Sequence, residues 1–584
     1  MTMTMAGTGK DGREYPTIPE IFERTVRRHG EKLAIAAPPP EGIRAGLVGE
    51  YAEITYRELQ ELSDRVASGL ARRGIKPDDK VAILSRPRPE MAAAILGIHK
   101  AGAVAVPLDP LLQAAEIHRL LTQTDSVAAL VSGELLPRVE GLATLQFLVA
   151  LDPVEKKPKR VLAWEEFLSD APPPLREVSP EDLAVLLCTS GTTGDAKAVM
   201  LTHRNLTSNV EGVLERLDVS HEDVVISIAP WNHSFGLITL LTVLRVGATI
   251  VWTNDYANLA QIMTRYRATI LVAVPKLYHA MYERVMGAIE ESRVRSFLSR
   301  VAPRVIGWQL KRKMAGGRLR FFASGSAPLS PHVIEGFRRL GVGMIEGYGM
   351  TEASPVLTFS TPFNDKPGSV GPPLPNVELR LLNPNEEGIG ELLARGPNIM
   401  RGYYKNPERT REVLDEEGWL HTGDLAYIDE DGWVYIKGRC KSVIVLDTGK
   451  NVYPEEIEWE LSHSPYIEEI LVRAGRRKGM EVIQALVYPN WEAIGKPLPK
   501  EEVRRLIWQE IRKHNENLAQ YKRIKSEQDV IIVDQPFEKT SLKDIKRFLY
   551  VDSNPPSTLE RGQEQEQEQE QEHAKNDDTP RAGA

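Results

Sequence analysis

Residues 189–197 read Thr189-Ser190-Gly191-Thr192-Thr193-Gly194-Asp195-Ala196-Lys197, hydroxyls and glycines closed by a lysine, directly behind the apolar run Leu183-Ala184-Val185-Leu186-Leu187. This reads as a strand delivering a loop that grips phosphate. Glycine lets backbone N–H groups approach an anion with no Cβ in the way, hydroxyls add donors, and an ammonium supplies a point charge. The spacing is not that of a Walker A loop, which needs glycine directly before the lysine and Ser or Thr directly after it; this chain has Ala196 and Ala198 there. The same composition also describes a flexible surface turn, so other segments decide.

One is Glu346-Gly347-Tyr348-Gly349-Met350-Thr351-Glu352, behind a second strand-and-loop unit, Leu319-Arg320-Phe321-Phe322-Ala323 then Ser324-Gly325-Ser326-Ala327-Pro328. It lacks the third glycine of a dinucleotide fingerprint. It does bring together an aromatic plane, a hydroxyl and a carboxylate, the parts needed to stack a base, touch a phosphate and hold Mg2+. Another is Gly418-Trp419-Leu420-His421-Thr422-Gly423-Asp424, followed by Leu425 to Ile428, Asp431-Gly432 and Trp433 to Arg439. A two-residue turn at Asp431-Gly432 would set Asp424 opposite Arg439. Beside a nucleotide loop that pair could hold ribose hydroxyls; by itself it would be an ordinary cross-strand ion pair worth about 0.2–1 kcal/mol.

With these segments the chain resembles the adenylate-forming superfamily of acyl-CoA synthetases, firefly luciferase and peptide-synthetase adenylation domains. The resemblance runs from about Tyr15 to Tyr550. Its further motifs, in order, are Ile54-Thr55-Tyr56-Arg57-Glu58-Leu59, Lys100-Ala101-Gly102-Ala103 to Pro110, Pro230-Trp231-Asn232-His233, Gly438-Arg439-Cys440-Lys441, and Gly449-Lys450-Asn451-Val452-Tyr453-Pro454-Glu455-Glu456-Ile457-Glu458.

The resemblance implies a two-step ligation: a carboxylate attacks the α-phosphorus of ATP and pyrophosphate leaves, then a thiol attacks the acyl-adenylate. ATP, Mg2+ and coenzyme A are the implied cofactors. Each step gathers negative charge on oxygen, so donors and cations fixed in advance lower the barrier. Carried over by position, Thr189, Ser190, Gly191, Thr192, Thr193, Gly194 and Lys197 would embrace the β- and γ-phosphates, with Thr192 and Glu352 on Mg2+. Glu346, Gly347, Tyr348 and Gly349 would bind ATP, Tyr348 stacking on adenine with Gly325, Ser326 and Ala327 around it. Thr351 would touch the α-phosphate, and Asp424 and Arg439 the ribose. His233 would line the carboxylate pocket, although a lone histidine beside Trp231 and Phe235 is also a core histidine by burial habit. Gly449 and Lys450 would meet coenzyme A. Lys441 would be a hinge, and Lys197, His233, Thr351, Glu352 and Lys441 form the implied catalytic set.

One departure bears on rate. The family carries a catalytic lysine in a Pro-Lys-Thr-x-x-Gly-Lys-Ile pattern, but this chain reads Glu538-Lys539-Thr540-Ser541-Leu542-Lys543-Asp544-Ile545, with Asp544 in the lysine's place and Lys543 as a substitute only if the loop slips by one. Losing one such donor costs on the order of 10²–10³ in rate. Adenylation is therefore expected to be slow and thioester formation less affected.

No acidic residue lies between Val224 and Asn254, which disfavours an amino-acid substrate, whose ammonium would need one. The run Phe235, Leu237, Ile238, Leu240, Leu241, Val243 and Leu244 reads either as an acyl tunnel or as helix core. The phrases at 449–458 and Lys546-Arg547-Phe548-Leu549-Tyr550 are most similar to bacterial long-chain fatty acyl-CoA synthetases, so the expected substrate is a medium- or long-chain fatty acid. The alternatives are an acyl-AMP ligase serving a separate acyl-carrier protein, and a nucleotide- or acyl-adenylate-binding protein of low turnover. A peripheral seat on a membrane is considered, with no anchor in the sequence to carry it. Oligomeric state is not read.

The positioning elements are legible as rhythm. Leu59, Leu62, Val66 and Leu70 mark a helix ended by Gly74, Val81–Leu84 a strand, Met91–Lys100 a helix and Ala103–Pro107 a strand, a βαβ unit. Val224–Ile228, Ala248–Trp252 and Thr269–Val274 continue it, giving an α/β protein with mostly parallel, helix-covered sheet. With 584 residues the chain exceeds one core. The resemblance implies a large N-terminal domain of two such sheets plus a small β-barrel over residues 15–438, and a smaller mobile α+β cap over 439–550. Residues 1–14 read as a polar extension without a secretory signal, and the stretch Ser234–Trp252 as buried helix and strand. Residues 551–584 hold nine Asp or Glu against three Lys or Arg, and their five Gln-Glu pairs are expected to be disordered. That tail takes most of the net charge of −8, leaving a near-neutral body without a nucleic-acid footprint. Cys188 and Cys440 form no disulfide framework or metal pattern. A cytoplasmic enzyme is expected.

Overall fold

The computed structural model describes residues 13–39, 51–142, 144–154, 160–174, 176–190, 196–446, 451–477, 480–495, 498–539 and 545–551. Gly191, Thr192, Thr193, Gly194, Gly449, Lys450, Lys543 and Asp544, all assigned roles from sequence, lie outside them, as does the acidic tail from 552. The chain divides into two compact units between Lys437 and Gly438.

The first unit is α/β and contains two eight-stranded sheets. One runs in the order Val356–Phe359, Gly343–Gly349, Phe321–Ser324, Ile270–Ala273, Val224–Ser227, Thr249–Trp252, Leu33–Ala37, Ala52–Thr55, parallel inside and antiparallel at both edges. The other runs Gly402–Tyr403, Ala196–Thr202, Leu183–Ser190, Val104–Leu108, Lys80–Leu84, Ser126–Val131, Phe147–Ala150, Val161–Ala163, antiparallel only across its first two pairings. Buried on both faces, such strands read as continuous apolar runs. The strands expected from sequence occur, with ends moved by a residue or so. The element expected as a small barrel is, among the described pairings, a four-stranded antiparallel sheet of Glu378–Leu382, Gly390–Arg395, Leu420–Ile428 and Val434–Arg439.

Local chemistry explains the helix starts. In the motif at 54–59, Thr55 caps the helix Tyr56–Arg72: its backbone N–H donates to Glu58 Oε2 at 2.8 Å while its hydroxyl accepts the Glu58 N–H at 3.2 Å. Tyr56 is fully buried, its hydroxyl 2.6 Å from the Ala248 carbonyl oxygen, so this motif fastens the outer helix to the end of the apolar stretch. That stretch is a helix, Ser234–Val246, ended by left-handed Gly247 and followed by the strand Thr249–Trp252. Leu237, Ile238, Leu240, Leu241, Val243 and Leu244 are all buried, in agreement with helix core. Among the described residues no helix is long and apolar enough to cross a membrane.

The second unit holds a three-stranded sheet, Ile467–Arg477, Met480–Pro489 and Val530–Ile532, covered by the helices Pro454–Leu461 and Lys500–His514 through Ile457, Leu461, Val503, Ile507 and Ile511. A two-stranded ribbon, Ile444–Val445 and Asn451–Val452, precedes it.

Candidate active site

The strand Leu183–Ser190 ends where the glycine-rich loop begins, and Ala196–Thr202 returns antiparallel beside it with Thr189 opposite Lys197. On its other side Ala196–Thr202 pairs, among the described residues, with the two-residue strand Gly402–Tyr403. This pairing sets the lysine's surroundings: the Lys197 Nζ sits 5.0 Å from the centroid of the Tyr403 ring. The Tyr403 hydroxyl donates to Glu352 Oε1 at 2.8 Å. Burial and the Glu352 charge push the phenol far above its ordinary range, so it stays a neutral donor. Lysine, phenol and carboxylate thus link the strand Ala196–Thr202 to the 346–352 segment.

That segment is held from several sides. Thr351 Oγ1 lies 3.2 Å from Ser234 Oγ, at the first turn of the helix Ser234–Val246, where unpaired N–H groups and the helix dipole favour an anion. Asn398 Nδ2 donates to the Ala353 carbonyl at 2.8 Å, and Asn209 Nδ2 to the Val356 carbonyl at 2.8 Å. The Tyr348 hydroxyl donates to Asp424 Oδ2 at 2.6 Å, and Asp424 is itself buried. Glu346 turns the other way: its carboxylate accepts the Leu329 N–H at 2.8 Å, and burial pushes its pKa up to about 7. It ties the loop Ser324–Pro328 to the strand Gly343–Gly349.

Gly325 in that loop faces Phe235; a Cβ there would lie 3.0 Å from the ring. Ser326 follows in the left-handed region at φ 73°, exposed together with Ala327. Residues 233–235 therefore join three of the segments singled out from sequence: Phe235 meets Gly325, Ser234 meets Thr351, and His233 Nε2 lies 3.5 Å from Asp109 Oδ2.

One expectation needs correction. The turn at Asp431-Gly432 has three residues, not two: Gly432 N–H donates to the Asp429 carbonyl at 2.9 Å and Asp429 N–H to the Trp433 carbonyl at 3.0 Å, with Gly432 left-handed at φ 82°. The cause is Asp429, whose Oδ1 accepts from Asp431 and Trp433 N–H groups at 3.0 and 2.8 Å, while Lys366 bridges Asp429 and Asp431. At the turn itself Asp429 therefore faces Trp433, one position from where a two-residue turn would set it. Asp109, just past the strand Val104–Leu108, supplies a carboxylate near His233 from outside the acid-free stretch Val224–Asn254. Sequence windows do not see such partners, and neither Asp109 nor Tyr403 was singled out. In the second unit, Arg439 and Lys441 are exposed, Lys441 in the short turn Cys440–Ser442.

The donor set suits a magnesium nucleotide. Mg2+ keeps most of its shell as water and phosphate oxygen and takes one or two carboxylates from protein. Glu352 is such a carboxylate, and no group of three or more His, Cys, Asp or Glu side chains that could hold a metal occurs among the described residues.

Comparison with known proteins bears on the chemistry. The sequence matches the family described as AMP-binding enzyme over residues 22–404, and the AMP-binding enzyme C-terminal domain over 441–552. It is 32% identical to 4-coumarate-CoA ligase 1 of Narcissus pseudonarcissus over 72% of this chain and 76% of that one. It is 30% identical to long-chain-fatty-acid–CoA ligase 6 of Mus musculus over 81% and 75%. The anthranilate CoA ligase AuaEII, solved with anthranoyl-AMP, shares the fold at a TM-score of 0.74 and 24% identity, covering 92% of this chain and 97% of that one. The chain belongs to the AMP-binding enzyme family, as an ATP-, Mg2+- and coenzyme A-dependent acid–thiol ligase that works through an acyl-adenylate.

Proposed function

We propose that the acid is a medium- or long-chain fatty acid and that the residues converging on positions 233–235 carry its activation. The observation that carries the activation reading is the contact of the Lys197 ammonium with the Tyr403 ring, whose hydroxyl donates to Glu352. The carboxylate oxygen of the acid bonds to the α-phosphorus as the bond to the pyrophosphate oxygen breaks; the coenzyme A sulfur then bonds to the acyl carbon as AMP leaves. Lys197 and the loop 189–194 hold the phosphates that depart, and Thr351, set by Ser234, addresses the α-phosphate. Tyr348 braces Asp424 at the ribose. Glu352 and Thr192 would hold Mg2+, which would supply positive charge against the phosphates. Lys441, beside the junction of the two units, serves as hinge between domains 15–438 and 439–550, and Gly449 and Lys450 meet coenzyme A.

The fatty-acid assignment is supported by similarity to a long-chain ligase over four-fifths of the chain. Purified protein with ATP, Mg2+ and coenzyme A is expected to convert octanoate, laurate or palmitate to the acyl-CoA in preference to 4-coumarate, ferulate or anthranilate. Faster turnover of the aromatic acids would overturn the substrate assignment, and product formed only with an acyl-carrier protein would overturn the acceptor. Asp544 is expected to slow the first step, so Asp544→Lys should raise ATP–pyrophosphate exchange by on the order of 10²-fold. An ordinary exchange rate in the unaltered protein, unchanged in Lys543→Ala, would refute the handicap.

A further inference from the structure

The helices Arg293–Val301 and Pro303–Ala315 carry none of the residues assigned to the ligase reaction above. Of the eleven large hydrophobic side chains exposed among the described residues, five fall in this one stretch: Val294 (69% exposed), Phe297 (64%), Val301 (60%), Val305 (44%) and Trp308 (58%). Their spacing puts them on ridges. Val294, Phe297 and Val301 are separated by three and four, and Val305, Trp308 and Arg312 likewise, one face of each helix. The opposite faces pack inward: Leu298 and Leu310 lie against Ile289, Ile306 and Leu340. Gly307 sits so close to the Leu340 backbone that a Cβ would come within 1.5 Å of its carbonyl oxygen. The apolar ridges are left outside this packing.

Charge distinguishes this patch from scattered surface hydrophobics. From Ser292 to Ile334 the sequence holds nine Arg or Lys and no Asp or Glu, in a chain of net charge −8. Arg293, Arg295, Arg300, Arg304, Arg312 and Lys313 are exposed around the ridges, and Arg312 stacks on Trp308 at 5.4 Å. A protein partner recognised by its acids would pair with the cations but give little reason for an unbroken ridge of Val, Phe and Trp. An interfacial lipid layer meets both, because amphipathic rings and aliphatic groups enter the headgroup boundary while cations meet anionic headgroups.

We propose that the outer face of Arg293–Ala315 is a docking surface for a bilayer bearing anionic phospholipid. The proposal does not depend on which acid the ligase activates.

Sedimentation of the full chain with vesicles of phosphatidylcholine plus phosphatidylglycerol tests it, against vesicles of phosphatidylcholine alone. Binding to the mixed vesicles is expected, weakened by molar salt. Neutralising Arg300, Arg304 or Arg312 to Gln should weaken it about fivefold each, and the double substitution Phe297→Ser, Trp308→Ser by about tenfold or more. Both apolar positions are exposed, so an unchanged melting temperature is expected in the double variant. No binding to anionic vesicles, or binding indifferent to the double substitution, overturns the proposal. So does a dimer in solution that the double substitution dissolves, which would assign the face to a second copy. Heparin held as tightly as vesicles and equally by the double variant would also overturn it, leaving charge alone.

Discussion

In the segment Glu346–Glu352 two carboxylates are buried, each held by a donor from elsewhere in the chain, whereas between Arg293 and Ala315 five large apolar side chains stand exposed among seven Arg or Lys with no acid. The first arrangement carries a desolvation cost inside the protein, offset by hydrogen bonds to each buried group. The second leaves apolar surface in water. A site for reaction needs charges fixed beforehand; a docking face needs unsatisfied surface that a partner completes. Buried polarity and exposed apolarity thus mark two kinds of function on one unit.

Substitutions can separate the two. Lys197→Ala should lower kcat for a soluble acid by on the order of 10²–10³ while leaving vesicle binding as it was; equal loss of both would merge the regions. Tyr403→Phe removes the donor to Glu352 and should lower kcat/KM by roughly 10–100-fold, the scale of a lost hydrogen bond to a charged group. An unaffected rate would make that phenol packing alone. Glu346→Gln tests burial through pH. The folded protein holds this carboxyl at about 7 against an ordinary 4.5, so folding opposes its ionisation, and stability falls as pH rises from 4.5 to 7. Above pH 7 the variant should be the more stable by up to about 3 kcal/mol; below pH 4.5 the pair should converge. Parallel stability curves would contradict this. The smallest effect belongs to the other region: Phe297→Ser with Trp308→Ser should leave kcat for a soluble short-chain acid within about twofold, since surface changes are usually within 0.5 kcal/mol.

How legible each part was depends on the range of the signal. The parallel strands announced themselves as short apolar runs, and Lys197, Tyr348, Thr351 and Glu352 stood out because their chemistry is packed into a few consecutive residues. Tyr403 did not, since a two-residue strand has no period and its relation to Lys197 exists only across the sheet. Asp109 reaches His233 from over a hundred positions away. The hairpin went wrong for a local reason: Asp-Gly suggests a two-residue turn, but the carboxylate of Asp429 recruits two backbone N–H groups and draws in a third residue. The basic ridge was counted as ordinary charge in a neutral body, because its meaning depends on which helix faces are already covered.

The short pairing of Gly402 and Tyr403 with the lysine strand also bears on synthesis. Lys197 leaves the ribosome some two hundred residues before its phenolic neighbour, so a nascent or truncated chain ending short of Tyr403 lacks the ring beside that lysine. Closing so long a loop is slow. Competence for ATP should therefore arrive late and abruptly in the life of each molecule, once nearly all of the first unit has been made.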